Sequence, residues 1–203
     1  MDNNKPVAKR ADKEKIKRIT VTAVLSAAGF CLMLLEFPIP FLIPSFVKMD
    51  LSELPALLAT FCYGPYHGVL VCLIKNILHL PMTQSGGIGE LCSFLLGCGF
   101  VLPAGLIYGK MKSKNGALLG CAVGTACMAA LSYPLNLYAI YPIYSKVYPI
   151  ESIMTAYQKL IPSMDTLEKC LLVFNVPFTI LKGAITSALA FIIEPIWRRI
   201  TKK

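Results

Sequence analysis

Charge is scarce in this chain. Only 15% of its 203 residues are charged, whereas 56% are hydrophobic, a larger apolar share than an ordinary soluble domain carries. That shortage argues against a soluble globular protein and points to lipid as the solvent. Catalytic signatures are missing as well: there is no His-Glu-x-x-His, no Gly-x-Ser-x-Gly and no paired-carboxylate helix of the intramembrane-protease kind, so enzyme chemistry finds little footing. The eight cysteines stand singly, mostly inside apolar runs, with no Cys-x-x-Cys, which makes them small hydrophobes and leaves a metal or disulfide role without support. A P-loop is absent too. The stretch GLIYGKMKS at Gly105–Ser113 has a Gly-Lys pair but neither the spacing nor the hydroxyl that cradles phosphate and magnesium. Any ATP-driven step therefore needs another chain. No long-period repeat or low-complexity segment interrupts the sequence.

Apolar windows are what the chain does have. Ile19–Leu35, Leu91–Tyr108, Gly116–Leu137 and Leu171–Ile193 approach or exceed the length needed to span hydrocarbon, roughly 18–20 residues. Two shorter runs, Leu51–Tyr63 and Tyr66–Leu80, meet at a tight Gly64-Pro65 turn. The expectation is an all-α integral membrane protein, a single bundle of six transmembrane helices over 19–197.

The net charge of +9 supports the same reading through its placement. Basic residues cluster at Lys5–Arg18, at Lys110–Lys114 and in the RRITKK segment at 198–203. Six crossings put all three clusters on one side, and the positive-inside rule makes that side, with both termini, cytoplasmic. Residues 1–18 and 198–203 are then basic cytoplasmic segments, and no nucleic-acid partner is called for. The first apolar run is too long for a signal peptide, and its small residues Ser26–Gly29 lie mid-run, so it reads as an uncleaved helix.

Between the first two runs lies LEFPIPFLIPSFVKMDLSELPALLATF, Leu35–Phe61, interrupted by prolines and charges. In a membrane protein this is an outer loop that caps something. Asp50 with Glu53 three residues on has the form of a helix start, and Asp165 with Glu168 repeats it before the last helix. In the outer segment from Tyr138 to Thr166, Ile150, Ile153, Met154, Tyr157 and Ile161 recur at helical spacing, as in a short amphipathic helix lying on the membrane or over the protein.

Polar side chains at membrane depth are costly and are functional candidates by default. They are Lys75, Asn76, His79, Glu90, Asn136 and Lys182. Apart from Lys182, which lies some 20 Å along the last helix at 1.5 Å per residue, they collect in the outer half and fit a pocket roofed by the proline-rich loop. Each has a plainer reading. Lys75 and His79 could snorkel to headgroups, Glu90 could simply open a helix, and Asn136 could satisfy a carbonyl freed by Pro134. Lys182 must find an acceptor or lose its proton, and a ligand is one such acceptor. On the first helix, Ala23 and Ala27 form a small-xxx-small face suited to close helix contact.

Four blocks, TAVLSAAGFCLMLLEFPIPFL, KMDLSELPALLATFCYGPYHGVLVCLIKNILHL, GGIGELCSFLLG and PFTILKG, resemble the riboflavin-specific S component of energy-coupling-factor vitamin transporters over nearly all of Ile19–Trp197. The resemblance implies a six-helix bundle in the cell membrane that binds riboflavin from outside, requires no cofactor, and works with a transmembrane coupling subunit and two ATPases. It implies docking of the coupling subunit at Ala23 and Ala27. It places ligand contacts in the first outer loop near Leu42 and Lys48, at Asn136, and in the helix-six block with Lys182; Asn76 and Glu90 stand as further candidates from their intramembrane position. Thr179 stands where many relatives have asparagine, and Asn175, one turn earlier, is the candidate to compensate. An S component for a different vitamin, or a membrane enzyme acting on a lipid or prenyl substrate, are the alternatives; the latter lacks a metal-binding acidic motif.

Overall fold

The computed structural model describes residues 5–146 and 149–193, with side chains from residue 12. Trp197 and the basic segment 198–203 lie outside the described residues. Helix α1 runs unbroken over Lys5–Leu34, so the basic stretch and the first apolar run form one helix. The proline-rich loop follows, pinned by a short antiparallel pairing of β1 (Phe37–Pro38) with β2 (Lys48–Met49). Next come α2 (Glu53–Tyr63) and α3 (Pro65–His79), then α4 (Ile88–Met111) and α5 (Lys114–Leu135). Short helices α6 (Tyr141–Tyr144), α7 (Ile150–Gln158) and α8 (Leu167–Cys170) precede α9 (Val176–Ile192).

Among the described residues, four helical spans are long and apolar enough to cross a membrane: Asp12–Leu34, Ile88–Met111, Lys114–Tyr144 and Leu167–Ile192. In their most apolar windows only 22–44% of residues are buried. Side chains such as Val24, Leu106, Leu118 and Ile180 point outward, which is the pattern of a bundle solvated by lipid on its outside. Helix α2 is shorter, at 11 residues, and is the hub, packing on α1, α3, α4 and α9. Gly64, at φ +99°, supplies the backbone bend between α2 and α3 that a residue with a Cβ would resist.

Apolar contact is concentrated in two clusters. One joins α2 to α5 through Leu57, Val71, Phe100, Val101 and Met128. The other is built where the loop and the short helices meet α9, from Ile43, Met49, Tyr157, Leu171 and Phe178. Helix α7 forms where the 3.6-residue spacing predicts it and turns Ile153 and Tyr157 inward while Ile150 stays exposed. It lies over the protein.

The α4–α5 contact depends on small residues. A Cβ at Gly124 would stand 2.5 Å from the Phe100 carbonyl oxygen, and one at Gly120 2.7 Å from that of Ala104. Both obstacles are backbone, so neither can turn aside. Gly124→Ala is therefore expected to force the helices apart and destabilise the protein by about 1–3 kcal/mol, read as a lowered midpoint of thermal unfolding in detergent. Gly109→Ala on the facing helix α4, where a Cβ meets nothing within 4 Å, should leave the midpoint unchanged or raise it.

Candidate functional site

Two helical spans widen just where they approach the second cluster. Residues Asn136–Ile140 and Leu171–Asn175 are π-helical turns, the first prolonging α5 into α6 and the second joining α8 to α9. Each is followed two residues later by a proline, Pro142 and Pro177. A proline ring lacks the N–H and collides with the carbonyl four residues back, here Tyr138 and Val173. Both carbonyls lie in the middle of a π turn, so widening the helix relieves the clash. Such turns re-aim side chains and recur at functional sites. Asn136 opens the first turn and Asn175 closes the second; each is at least 94% buried.

These two turns face a cavity of about 540 Å³, within the usual range for a small-molecule site, roughly 300–1,000 Å³. The loop contributes Phe46 and Lys48, α9 contributes Phe178, Thr179 and Lys182, and Tyr141 and Tyr144 add further aromatic surface. Asn175, Phe178, Thr179 and Lys182 repeat at three and four residues, so one stripe of the last helix lines the chamber. Phe46 meets Tyr157 edge to face, with ring centroids 5.9 Å apart. The loop is further tied by Lys48, which donates to Glu36 at 2.6 Å and to Gln84 at 3.0 Å.

The amides are oriented by their neighbours. Asn136 Nδ2 donates to the Ser132 carbonyl at 2.7 Å, while among the described residues its Oδ1 receives only a long thiol contact from Cys92, at 3.9 Å. Its acceptor side is thus left weakly occupied. Tyr157 donates its hydroxyl to Asn175 Oδ1 at 2.7 Å, backed by the Tyr141 hydroxyl. Because an amide nitrogen carries two N–H groups, Asn175 has a donor to offer. Thr179 Oγ1 is committed nearby, 2.8 Å from the Asn175 carbonyl and 3.1 Å from Ser132 Oγ.

Charged groups in the wall are compensated. Lys182 donates to Asp50 Oδ2 at 2.8 Å and stands 3.9 Å from Glu53 Oε1. Lys75, fully buried, donates to the same Glu53 oxygen at 2.8 Å and to Ser52 Oγ. Asp50 Oδ1 accepts from the Ser52 backbone N–H at 2.8 Å and from its hydroxyl. His79 Nδ1 lies 2.8 Å from Glu90 Oε1, and the other Glu90 oxygen receives Thr83 Oγ1 at 2.9 Å.

Lys48, Glu90, Asn136, Asn175, Thr179 and Lys182 all line this one chamber. Leu42 does not: it packs against the second apolar cluster. Asn76 lines a separate groove of about 180 Å³ between α3 and α4, its Nδ2 donating to the Cys72 carbonyl. Neither Lys75 nor His79 snorkels; both are drawn inward by carboxylates. Asp50 is no N-cap either. Ser52 precedes α2 with helical dihedrals and makes no side-chain cap, because Asp50 and Glu53 turn to the lysines, a charged attraction that outweighs a capping bond at low dielectric. Likewise Thr166, not Asp165, caps α8, accepting from the Lys169 backbone N–H. Asp50 and Glu53 are charged wall residues that the sequence reading assigns only to a helix start. The available signal was arithmetic: two intramembrane lysines require two nearby acids.

A family profile described as "ECF transporter, substrate-specific component" matches residues 17–194. The chain belongs to this family of ECF transporter S components. It is 31% identical to the protein named riboflavin transporter RibU of Staphylococcus aureus (strain TCH60), over 179 residues that cover 88% of this chain and 89% of that one. Over 134 residues, 64% of this chain and 70% of the other, it is 37% identical to the riboflavin transporter FmnP of Bacillus subtilis (strain 168). A solved structure described as the S component of a bacterial ECF transporter superposes with a TM-score of 0.73 at 28% identity, covering 93% of this chain and 99% of that one. This S component is accordingly a multi-pass membrane transporter subunit and not an enzyme.

The buried pair behind the wall gives a stability test. Lys75→Met leaves Glu53 buried without its close cation, and breaking a buried pair costs about 3–5 kcal/mol, so the unfolding midpoint should drop sharply. Adding Glu53→Gln should recover most of the loss. A midpoint indifferent to Lys75→Met would show that the pair carries no weight.

Proposed function

We propose that this S component is the riboflavin-binding subunit of a vitamin uptake system, embedded in the cell membrane and served by a separate ATP-driven module. The observation that carries the reading is the donor and acceptor pattern of the chamber. Riboflavin has a flat ring with an apolar dimethyl edge and a polar imide edge, and the imide presents one N–H between two carbonyls. Asn136 offers an acceptor to the N–H, while Asn175 and Lys182 offer donors to the carbonyls. Phe46, Tyr141, Tyr144 and Phe178 supply flat apolar walls. The similarity to two proteins named riboflavin transporters supports the same ligand. Lys48, Glu90 and Thr179 complete the proposed contacts around the rim and side chain of the vitamin.

The arrangement in the membrane follows from the charge pattern: six crossings by α1, α2, α3, α4, α5 and the α8–α9 span, with 1–18 and 198–203 in the cytoplasm and the binding domain over 19–197. Lacking a P-loop, the subunit needs a transmembrane coupling protein and two ATPases. Ala23 and Ala27 are the proposed docking face. Thr22, Ser26, Gly29 and Met33 form the buried side of α1, while Ala23 and Ala27 are exposed on another side, as a face awaiting a partner helix requires.

Two results test these assignments. Quenching of riboflavin fluorescence on purified, monodisperse protein should show Asn136→Ala and Lys182→Met weakening binding roughly 5- to 150-fold, the equivalent of losing one buried hydrogen-bond partner. Unchanged affinity in both would move the ligand elsewhere, first to the groove at Asn76 and the neighbouring Glu90. Separately, Ala23→Trp or Ala27→Trp should abolish uptake in cells carrying the coupling proteins and spare binding to purified protein. Equal loss of both activities would assign those alanines to folding.

A further inference from the structure

We propose that Asp50 is a positioning residue for the site: it sets where the Lys182 ammonium stands, and the loop that carries it thereby controls a donor on the last helix. The proposal rests on the riboflavin reading above, in which Lys182 meets the ligand. A lysine is a point charge on a flexible four-carbon stem. Left to itself, it would have to be ordered when a ligand arrives, and that ordering detracts from affinity.

Two carboxylates compete for it, and their surroundings decide the outcome. Glu53 Oε1 already accepts from Lys75 at 2.8 Å and is 3.9 Å from Lys182, too far for a hydrogen bond. Its Oε2 faces the Cys72 thiol and the backbone of Gly97, where even a Cβ would stand only 2.8 Å away. Glu53 is therefore held back by Lys75. Asp50, in contrast, has Oδ1 fixed by the Ser52 N–H and hydroxyl, so Oδ2 is turned to Lys182 at 2.8 Å. An ammonium has three donors. One bond to Asp50 leaves others for the chamber that Lys182 lines.

The connection is long in sequence, 132 residues, and adds a charged tie to the apolar contact that Ile43 and Met49 of the loop make with Phe178 of α9 in the second cluster. Asp50 directly follows β2, whose Lys48–Met49 pair with Phe37–Pro38. Strand, carboxylate and ammonium thus form one mechanical unit, the loop holding the ligand-facing cation from outside its own helix.

Riboflavin titrations on four purified proteins decide the matter: unsubstituted, Asp50→Asn, Lys182→Met and the double variant. If Asp50 acts through Lys182, Asp50→Asn weakens binding roughly 5- to 150-fold alone yet costs less than about twofold when Lys182 is already methionine. A role in folding, or direct contact with the ligand, would instead make the two losses multiply, and that result overturns the proposal. So does an Asp50→Asn protein with unchanged affinity. Should Asp50→Asn fail to fold, Asp50→Glu, which keeps the charge but shifts it by one methylene, takes its place with the same expected pattern. An unsubstituted protein that binds no riboflavin would remove the underlying reading together with this one, whereas intact binding with multiplying losses removes only this one.

Discussion

Three buried charges and one half-buried lysine hold this protein's functional end together. Lys75, Glu53, Lys182 and Asp50 lie in sequence around a closed circuit, with Ser52 bridging Asp50 to Lys75. Moving an isolated ion out of water costs several kcal/mol even after relaxation, so none of the four tolerates separation from its partner. Their attraction adds less to net stability than it adds to specificity. Only one packing of α2, α3, α9 and the loop brings two acids from one short stretch to lysines on two different helices. Apolar helices sliding on one another in lipid have no comparable register, since lipid tails compete equally for their surfaces.

With the circuit fixed, the remaining features acquire a common purpose. The loop cannot drift from the bundle because Asp50 anchors it below while Lys48 ties it to Glu36 and Gln84 above. Two prolines open two helices by one residue each and turn Asn136 and Asn175 into the space beneath. The Tyr141–Tyr157–Asn175 chain then fixes which way one amide points. In the proposed flavin site Asn136, Asn175, Thr179 and Lys182 are each held by a hydrogen bond before the ligand arrives, which reduces the entropy lost on binding.

Helices were legible from the apolar windows because hydrocarbon thickness imposes a length and lipid removes the polar face that complicates soluble helices. The amphipathic α7 was legible from its spacing alone. Lys182 and Asn136 stood out because a polar group in an apolar run has few cheap explanations. Asp50 and Glu53 did not. Beside the start of a helix, an acid looks like a cap, and local sequence cannot show a lysine 132 residues away. The π turns escaped for a related reason: a proline in an apolar helix announces a disturbance, but whether the helix kinks, breaks or widens depends on what the freed backbone meets in three dimensions. Leu42 packs against the second apolar cluster; proximity along a loop does not reveal which side chains turn to the core.

The chamber is proposed to hold a flavin between oriented amides and a positioned ammonium. Its most direct test is the absorbance spectrum of the unsubstituted protein, purified from cells grown with riboflavin and washed free of excess vitamin. The expected result is a yellow protein whose visible bands survive washing, are structured and shifted relative to free riboflavin, and correspond to one flavin per chain on release by denaturation. A colourless protein that also leaves added riboflavin with its free-solution spectrum would contradict it.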